Sequence, residues 1–246
     1  GEHLSHFSPR ANHLDKLDSL FFQYSEVGTG VYRHYLHTEQ AAERFAQEPG
    51  TFTPWEEMDP DTDLLLYRGL HGAAIDGDID IAQYPDLLIG VVPIVNLEWK
   101  RRMHRDITTR NKTREEVQES ILERMHDYVH HITPQFSRTH INFQLVPLID
   151  TSDPLEDETN ILDDEMSLVI HFQNFDIPDL QCLLTNLKGA QMTRQDTLIV
   201  PSAVIGTALE ILIMPAIHRL ISRSREVRGI EEFPKSRGAG VLDILE

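Results

Sequence analysis

The chain has 246 residues, with 40 acidic and 22 basic side chains and a formal net charge of −18. That balance excludes general nucleic-acid binding, which needs a broad basic face, and the single cysteine, Cys182, excludes an internal disulfide or a Cys-rich zinc centre and fits a reducing cytoplasm. No apolar run approaches the ~20 residues of a spanning helix and no basic-then-apolar leader is read at the start, so no membrane partner is expected.

In chain order, Ser8-Pro9 followed by Leu14, Leu17, Leu20, Phe21 and Tyr24 reads as a helix ended by Gly28-Thr29-Gly30. Residues 31–37 alternate as a short strand. Two wholly apolar runs, 64–67 and 87–92, predict strands buried on both faces, and the length between them allows a parallel pairing. Between the runs, Arg68-Gly69-Leu70-His71-Gly72 sits where loops after parallel strands line ligand crevices. Thr113 with Glu116 three residues on predicts a capping box, and Val117, Ile121, Met125, Tyr128 and Ile132 follow at near-helical spacing until Pro134. Residues 141–149 read as a strand whose Pro147 demotes it to an edge or bulged position. Strands at 167–172 and 197–200, a helix over 178–187 between them, and a helix over 202–224 broken or kinked at Pro215 complete the pattern. The tail after Arg228 is expected to be mobile. Strand and helix alternation points to α/β architecture with a mixed sheet flanked by helices.

The segment 91–114 begins as a buried strand and then reverses the sign of the chain. Seven Lys and Arg residues lie between Lys100 and Arg114, around one acid, Asp106. On a helix over 97–109, Arg102, Arg105 and Asp106 share a face. Seven cations against one acid are too many for self-pairing, and planar guanidinium forks suit phosphate oxygens. The competing reading is a solvated salt-bridge face. His37, with Arg33 behind it, offers donors to a sugar phosphate, although a packed surface histidine is the commoner outcome. His126 and His130 stand at metal-ligand spacing without a partner carboxylate, so a solvated face is the better reading. No Gly-rich loop ending in Gly-Lys-Ser/Thr occurs in the 246 residues.

The segments SHFSPRAN, PGTFTPW, LLLYRGLHG, DLLIGVVPIVNLEW, HRDITTR, RMHDYVHHITPQFSRTHINFQ and VPLIDTSDP together resemble the bacterial class of phosphoribulokinases, in order and spacing from about Ser5 to Ser222. The resemblance implies a nucleoside-monophosphate-kinase-like P-loop kinase fold. It also implies ATP-dependent phosphorylation of the 1-hydroxyl of D-ribulose 5-phosphate with Mg²⁺, a cytoplasmic homo-oligomer, and response to NADH and AMP. By position it assigns Arg105 and Asp106 to catalysis, Asp106 also to Mg²⁺, and His37, Arg33, Arg102, Arg110 and Arg124 to substrate and nucleotide phosphates. Arg194 falls where regulated members carry an effector-linked arginine.

This chain departs from the family pattern. The family's phosphate-binding loop and the strand bearing its catalytic base would precede Gly1, so the expectation is a kinase domain over 1–228 that lacks its first βα unit, with a tail at 229–246. The family's metal-supporting glutamate is Arg68, its usual lysine is Arg102, and an arginine common in the INFQ strand is Leu145. Little or no kinase activity is expected of the chain as written. A truncated kinase and a degenerate sugar-phosphate-binding or regulatory relative both fit, as does a kinase for another pentose phosphate or a nucleoside.

Overall fold

Every second residue of Met166–Phe172 (β7) is apolar, and the strand buries Met166, Leu168, Ile170 and Phe172 on one face. The computed structural model describes residues 5–36, 38–155, 162–177 and 180–229. Around β7 it assembles a mixed sheet in the order β5-β6-β7-β9-β8, with β5 at Ile89–Val91, β6 at Ile141–Pro147, β8 at Gln191–Arg194 and β9 at Thr197–Pro201. Only β5 and β6 run parallel; the other neighbours are antiparallel. Two short antiparallel pairs complete the strands among the described residues, β1 (Val31–Tyr32) with β2 (Glu56–Glu57) and the hairpin of β3 (Ile75–Asp76) with β4 (Ile79–Asp80).

The main core lies on one face of the sheet. Ile141, Phe143, Leu168, Ile170, Phe172, Leu198 and Val200 meet Leu183 and Leu187, at and just beyond α5 (Leu180–Asn186), and Ala208 and Leu212 of α6 (Ile205–Val227). Burial of such side chains contributes about 1.5–3 kcal/mol each before entropy is counted. Contrary to the expectation that no run nears spanning length, Ser202–Val227 is long and apolar enough to cross a membrane by length and composition. Helix α6 packs Ala208, Leu212 and Ala216 inward, and Arg225 near its end pairs with Asp63.

Several expectations need correcting. The run 64–67 is not a strand: Leu66 is 84% exposed, and β5 takes β6 as its parallel neighbour. β5 itself is not buried on both faces, since Ile89 and Val91 are exposed. The strand expected over 31–37 is only two residues long, with an isolated bridge from Tyr35 to Phe52. β6 is interior over Ile141–Phe143, where β5 and β7 both pair with it, and an edge beyond, where Pro147 pairs with β7 alone, as its proline predicts. Pro147, which has no N–H to donate, thus sits where no second strand requires one. α6 continues through Pro215 without a break, and β8 was not anticipated.

The loop after 64–67 is fixed from a distance. Gln135 accepts from the Ala73 N–H at 3.0 Å and donates to the carbonyls of Leu70 and His131 at 2.9 and 2.7 Å. A Cβ at Gly69 would lie 2.1 Å from Tyr67 Oη, so only glycine admits that ring, whose far side meets Phe21 edge-on. Arg138 donates to Ala73 O at 2.7 Å and to both oxygens of Asp80 at 2.7 and 2.8 Å, locking the β3–β4 hairpin. The pair is partly exposed, so Arg138→Ala should cost only about 1–1.5 kcal/mol, read as a reduced denaturation midpoint at unchanged slope.

Candidate active site

The expected helix over 97–109 is α3, Val95–Arg110. It starts directly after β5 and Val92-Pro93-Ile94, and Leu97 anchors it against Met166 at the start of β7. Asn111 closes it in a left-handed conformation (φ 50), its N–H donating to Asp106 O, and Lys112 N donates to the same carbonyl at 3.1 Å. A short turn leads to α4, Arg114–Asp127, which opens with the expected capping box of Thr113 and Glu116. Met103 of α3 packs on Val117 and Ile121 of α4. The two helices are thereby held side by side, with the polar faces that bear the arginines at one border.

Asp106 is the centre of that border, and only 1% of its surface is exposed. Arg105 Nε donates to Oδ1 at 2.8 Å, Arg110 Nη1 lies 3.2 Å from Oδ1, and Arg102 Nε lies 3.7 Å from Oδ2. Burial alone would raise its carboxyl pKa; the Arg105 hydrogen bond and the charges of Arg105, Arg110 and Arg102 outweigh burial and hold it below the ordinary value. Near the C-terminus of a helix a carboxylate meets an unfavourable dipole, so the arginines are what keep it ionised.

Arg102 donates to Ser120 Oγ of α4 at 3.0 Å. Ser120 and Arg124 are four apart and share a face, and of the neighbouring cations Arg124 acts most strongly on Arg102. Burial, then the Arg124 charge, push the Arg102 guanidinium below its ordinary pKa. His6 feels burial first and then Arg124, Arg102 and His71, all of which disfavour its protonation. Glu98, one turn before Arg102, is raised by burial and drawn back by Arg102 and Arg105. A cavity of about 20 Å³, room for about one water, lies beneath, lined by Phe7, Glu98, Trp99, Arg102, Met125 and Tyr128 among others.

Of the expected site residues, Arg102, Arg105, Asp106, Arg110 and Arg124 come together. Arg33 stacks its guanidinium on Phe52 at 3.9 Å and on Trp55 at 4.5 Å, and its N–H edge makes no hydrogen bond or ion pair among the described residues. His37 lies outside the described residues. Arg194 is exposed at the last residue of β8, beside a register shift at the β8–β9 turn, and no contact joins it to the Asp106 group. Arg68 is exposed and makes no ion pair with Asp106. His126 and His130 stack on each other at 4.1 Å, and no group of three metal-ligating side chains occurs among the described residues. His6, His71, Glu98 and Ser120 were not singled out from spacing; His6 and His71 do lie inside the segments that carry the resemblance, SHFSPRAN and RGLHG.

The donors around Asp106 do not fit a resident Mg²⁺. A magnesium site needs oxygen ligands in octahedral array, whereas here both carboxylate oxygens face guanidinium groups. What the border can do is bind and neutralise oxyanions.

The profile of the Phosphoribulokinase / Uridine kinase family matches residues 1–152. Over 221 residues the chain is 46% identical to the chromosomal phosphoribulokinase of Cupriavidus necator, covering 90% of this chain and 76% of that one. It is 45% identical, with the same coverage, to a probable phosphoribulokinase of Escherichia coli strain K12. The fold is similar to that of a phosphoribulokinase from Rhodobacter spheroides, with TM-score 0.82 and 42% identity, covering 90% of this chain and 77% of that one.

Proposed function

Because the chain belongs to the phosphoribulokinase/uridine kinase family, we propose that it serves the transfer of a phosphoryl group from ATP to the 1-hydroxyl of D-ribulose 5-phosphate. Nucleotide use goes with kinase families; ATP as the donor and ribulose 5-phosphate as the acceptor are this reading's own. The observation that carries it is the ring of Arg102, Arg105 and Arg110 around buried Asp106, with Arg124 alongside. Phosphoryl transfer asks for little covalent chemistry from the protein and much positioning and neutralisation of phosphate charge. Arg105 and Arg110 are about half exposed beyond Asp106 and can present donors to a phosphate while Asp106 fixes their planes.

In the same reading, Arg33, held flat by Phe52 and Trp55, and His37 meet the sugar phosphate, and Arg194 meets the phosphates of an NADH or AMP effector. Magnesium arrives with the nucleotide rather than residing at Asp106. Residues to 228 act as one kinase domain within a cytoplasmic homo-oligomer.

A second reading, a sugar-phosphate binder without turnover, is favoured by one residue: Arg68, where the resemblance places a glutamate. ADP release measured with ribulose 5-phosphate separates the two, with uridine and other pentose phosphates as rival acceptors. In a chain extended at its N-terminal end by the family's phosphate-binding loop and base-bearing strand, the kinase reading expects ADP release with ribulose 5-phosphate above the rivals, rising about tenfold in Arg68→Glu, equivalent to ~1.4 kcal/mol in the barrier. Tight binding with no ADP release by either form sinks the kinase reading and leaves the binder.

A further inference from the structure

Two histidines converge on the arginine border without a role in the reading above. His71 is 3% exposed, and neither ring nitrogen has a hydrogen-bond partner among the described residues. Buried polar groups are almost always satisfied, so a histidine in this condition asks for an explanation. It lies against the backbone of His6, and the His6 ring is within electrostatic reach of Arg124, Arg102 and His71. Arg124 makes no hydrogen bond or ion pair among the described residues, and the buried Nε of Arg102 has no hydrogen bond, its nearest carboxylate oxygen being 3.7 Å away. His71 from the 68–72 loop thus meets His6 from the opening segment, and His6 in turn meets Arg102 of α3 and Arg124 of α4, with the acids Asp106 and Glu98 on the Arg102 side alone. The charges of Arg102 and Arg124 oppose each other, and an anion between them would relieve that opposition.

We propose that His6 and His71 are positioning residues for an oxyanion, a phosphate group seated between Arg102 and Arg124 that accepts a hydrogen bond from His6, with His71 holding the His6 segment in place. This rests on the sugar-phosphate reading and adds two residues to it. The charges acting on His6 are Arg124 from α4 and Arg102 from α3, His131 from the turn after α4 reaches His71, and the acids Asp106 and Glu98 act on Arg102. Without the anion, burial and the arginines keep His6 neutral. A bound phosphate reverses the local sign, and His6 takes up a proton as both ring nitrogens become donors.

The test follows the His6 ring proton signal by NMR in the unmutated chain, identified by its loss in His6→Asn, with inorganic phosphate and then ribulose 5-phosphate as probes. Saturating probe should raise the His6 titration midpoint by about one pH unit, which by linkage is about a tenfold difference in affinity between the two protonation states. His6→Asn and His71→Asn should each weaken binding about five- to tenfold, and the unmutated protein's titration stands whether or not His71→Asn folds. An unmoved midpoint with unchanged binding by His6→Asn, while Arg124→Ala loses binding, overturns this proposal and leaves the sugar-phosphate reading standing. If Arg124→Ala also binds normally, both are overturned.

Discussion

Replacing Asp106 by Ala should lower the melting temperature by roughly 6–12 °C and abolish measurable binding of ribulose 5-phosphate. The carboxylate is almost wholly buried, and it faces three guanidinium groups of which Arg102 is itself largely covered, at 16% side-chain exposure. Removing one partner of a buried pair strands the other; the cost is about 3 kcal/mol here, at the low end of the usual range because Arg105 and Arg110 can turn to solvent. For a chain of this size each kcal/mol is about 2–4 °C. Asp106→Asn keeps the shape and an acceptor for Arg105, so about half the loss is expected. Pairing Asp106→Ala with Arg102→Met removes the stranded cation, and the double variant should be more stable than the sum of the singles predicts.

The same carboxylate sets a pH dependence whose sign is fixed. Its folded pKa lies below the ordinary 3.8 because the Arg105 hydrogen bond and the arginine charges overcome burial. The unfolded chain therefore binds the proton more readily, and stability rises with pH through this window. Asp106 contributes fully above its unfolded pKa and loses the contribution as pH falls below about 4 toward the folded value. The stability gap between the unmutated protein and Asp106→Asn should be flat from neutral pH to about 5 and narrow below 4. A gap that widens on acidification would show that burial, not the arginines, dominates at this residue.

The parts of the fold readable in the sequence are those with local causes. The capping box at Thr113 and Glu116 and the spacing of Val117 and Ile121 give α4 and its buried face directly. The β7 alternation likewise gives a strand and the side it buries. Where the outcome depends on which element lies alongside, local pattern misleads. Residues 64–67 are as apolar as any buried strand, yet no strand pairs with them among the described residues, and Tyr67 turns instead over Gly69. β8 carries Gln191, Thr193 and Arg194, which show no apolar alternation, and exists because β9 pairs with it at the sheet edge. At the site, charge imbalance and helical spacing pointed to Arg102, Arg105 and Asp106 together. His6 and His71 approach the same border from loops, and no periodicity records that convergence.

Gly90→Ala should cost about 3 kcal/mol, a fall of roughly 6–12 °C, although it adds a single methyl group. An added Cβ at Gly90 would stand 1.9 Å from Asn142 Oδ1 and 3.2 Å from Phe136 Cδ1. Asn142 is 7% exposed and cannot step aside cheaply: its Nδ2 donates to Phe136 O at 2.9 Å, and its Oδ1 accepts from Thr139 Oγ1 at 2.7 Å. Moving it breaks two buried hydrogen bonds, so β5 must shift instead. β5 has only three residues, is paired on one side only, and leads straight into α3. The displacement therefore passes to the helix carrying Arg102, Arg105 and Asp106. Loss of ribulose 5-phosphate affinity should accompany the loss of stability, at a distance from any residue that touches phosphate. Asn142→Ala alone should also destabilise, by removing two buried hydrogen bonds, although Phe136 O keeps Gln173 Nε2 at 2.9 Å and Thr139 Oγ1 at 3.0 Å. Asn142→Ala combined with Gly90→Ala should then recover much of the single-variant loss, because the clash is gone. Simple additivity in that cycle, read from denaturation midpoints, would mean that Gly90 is held by something other than the Asn142 side chain.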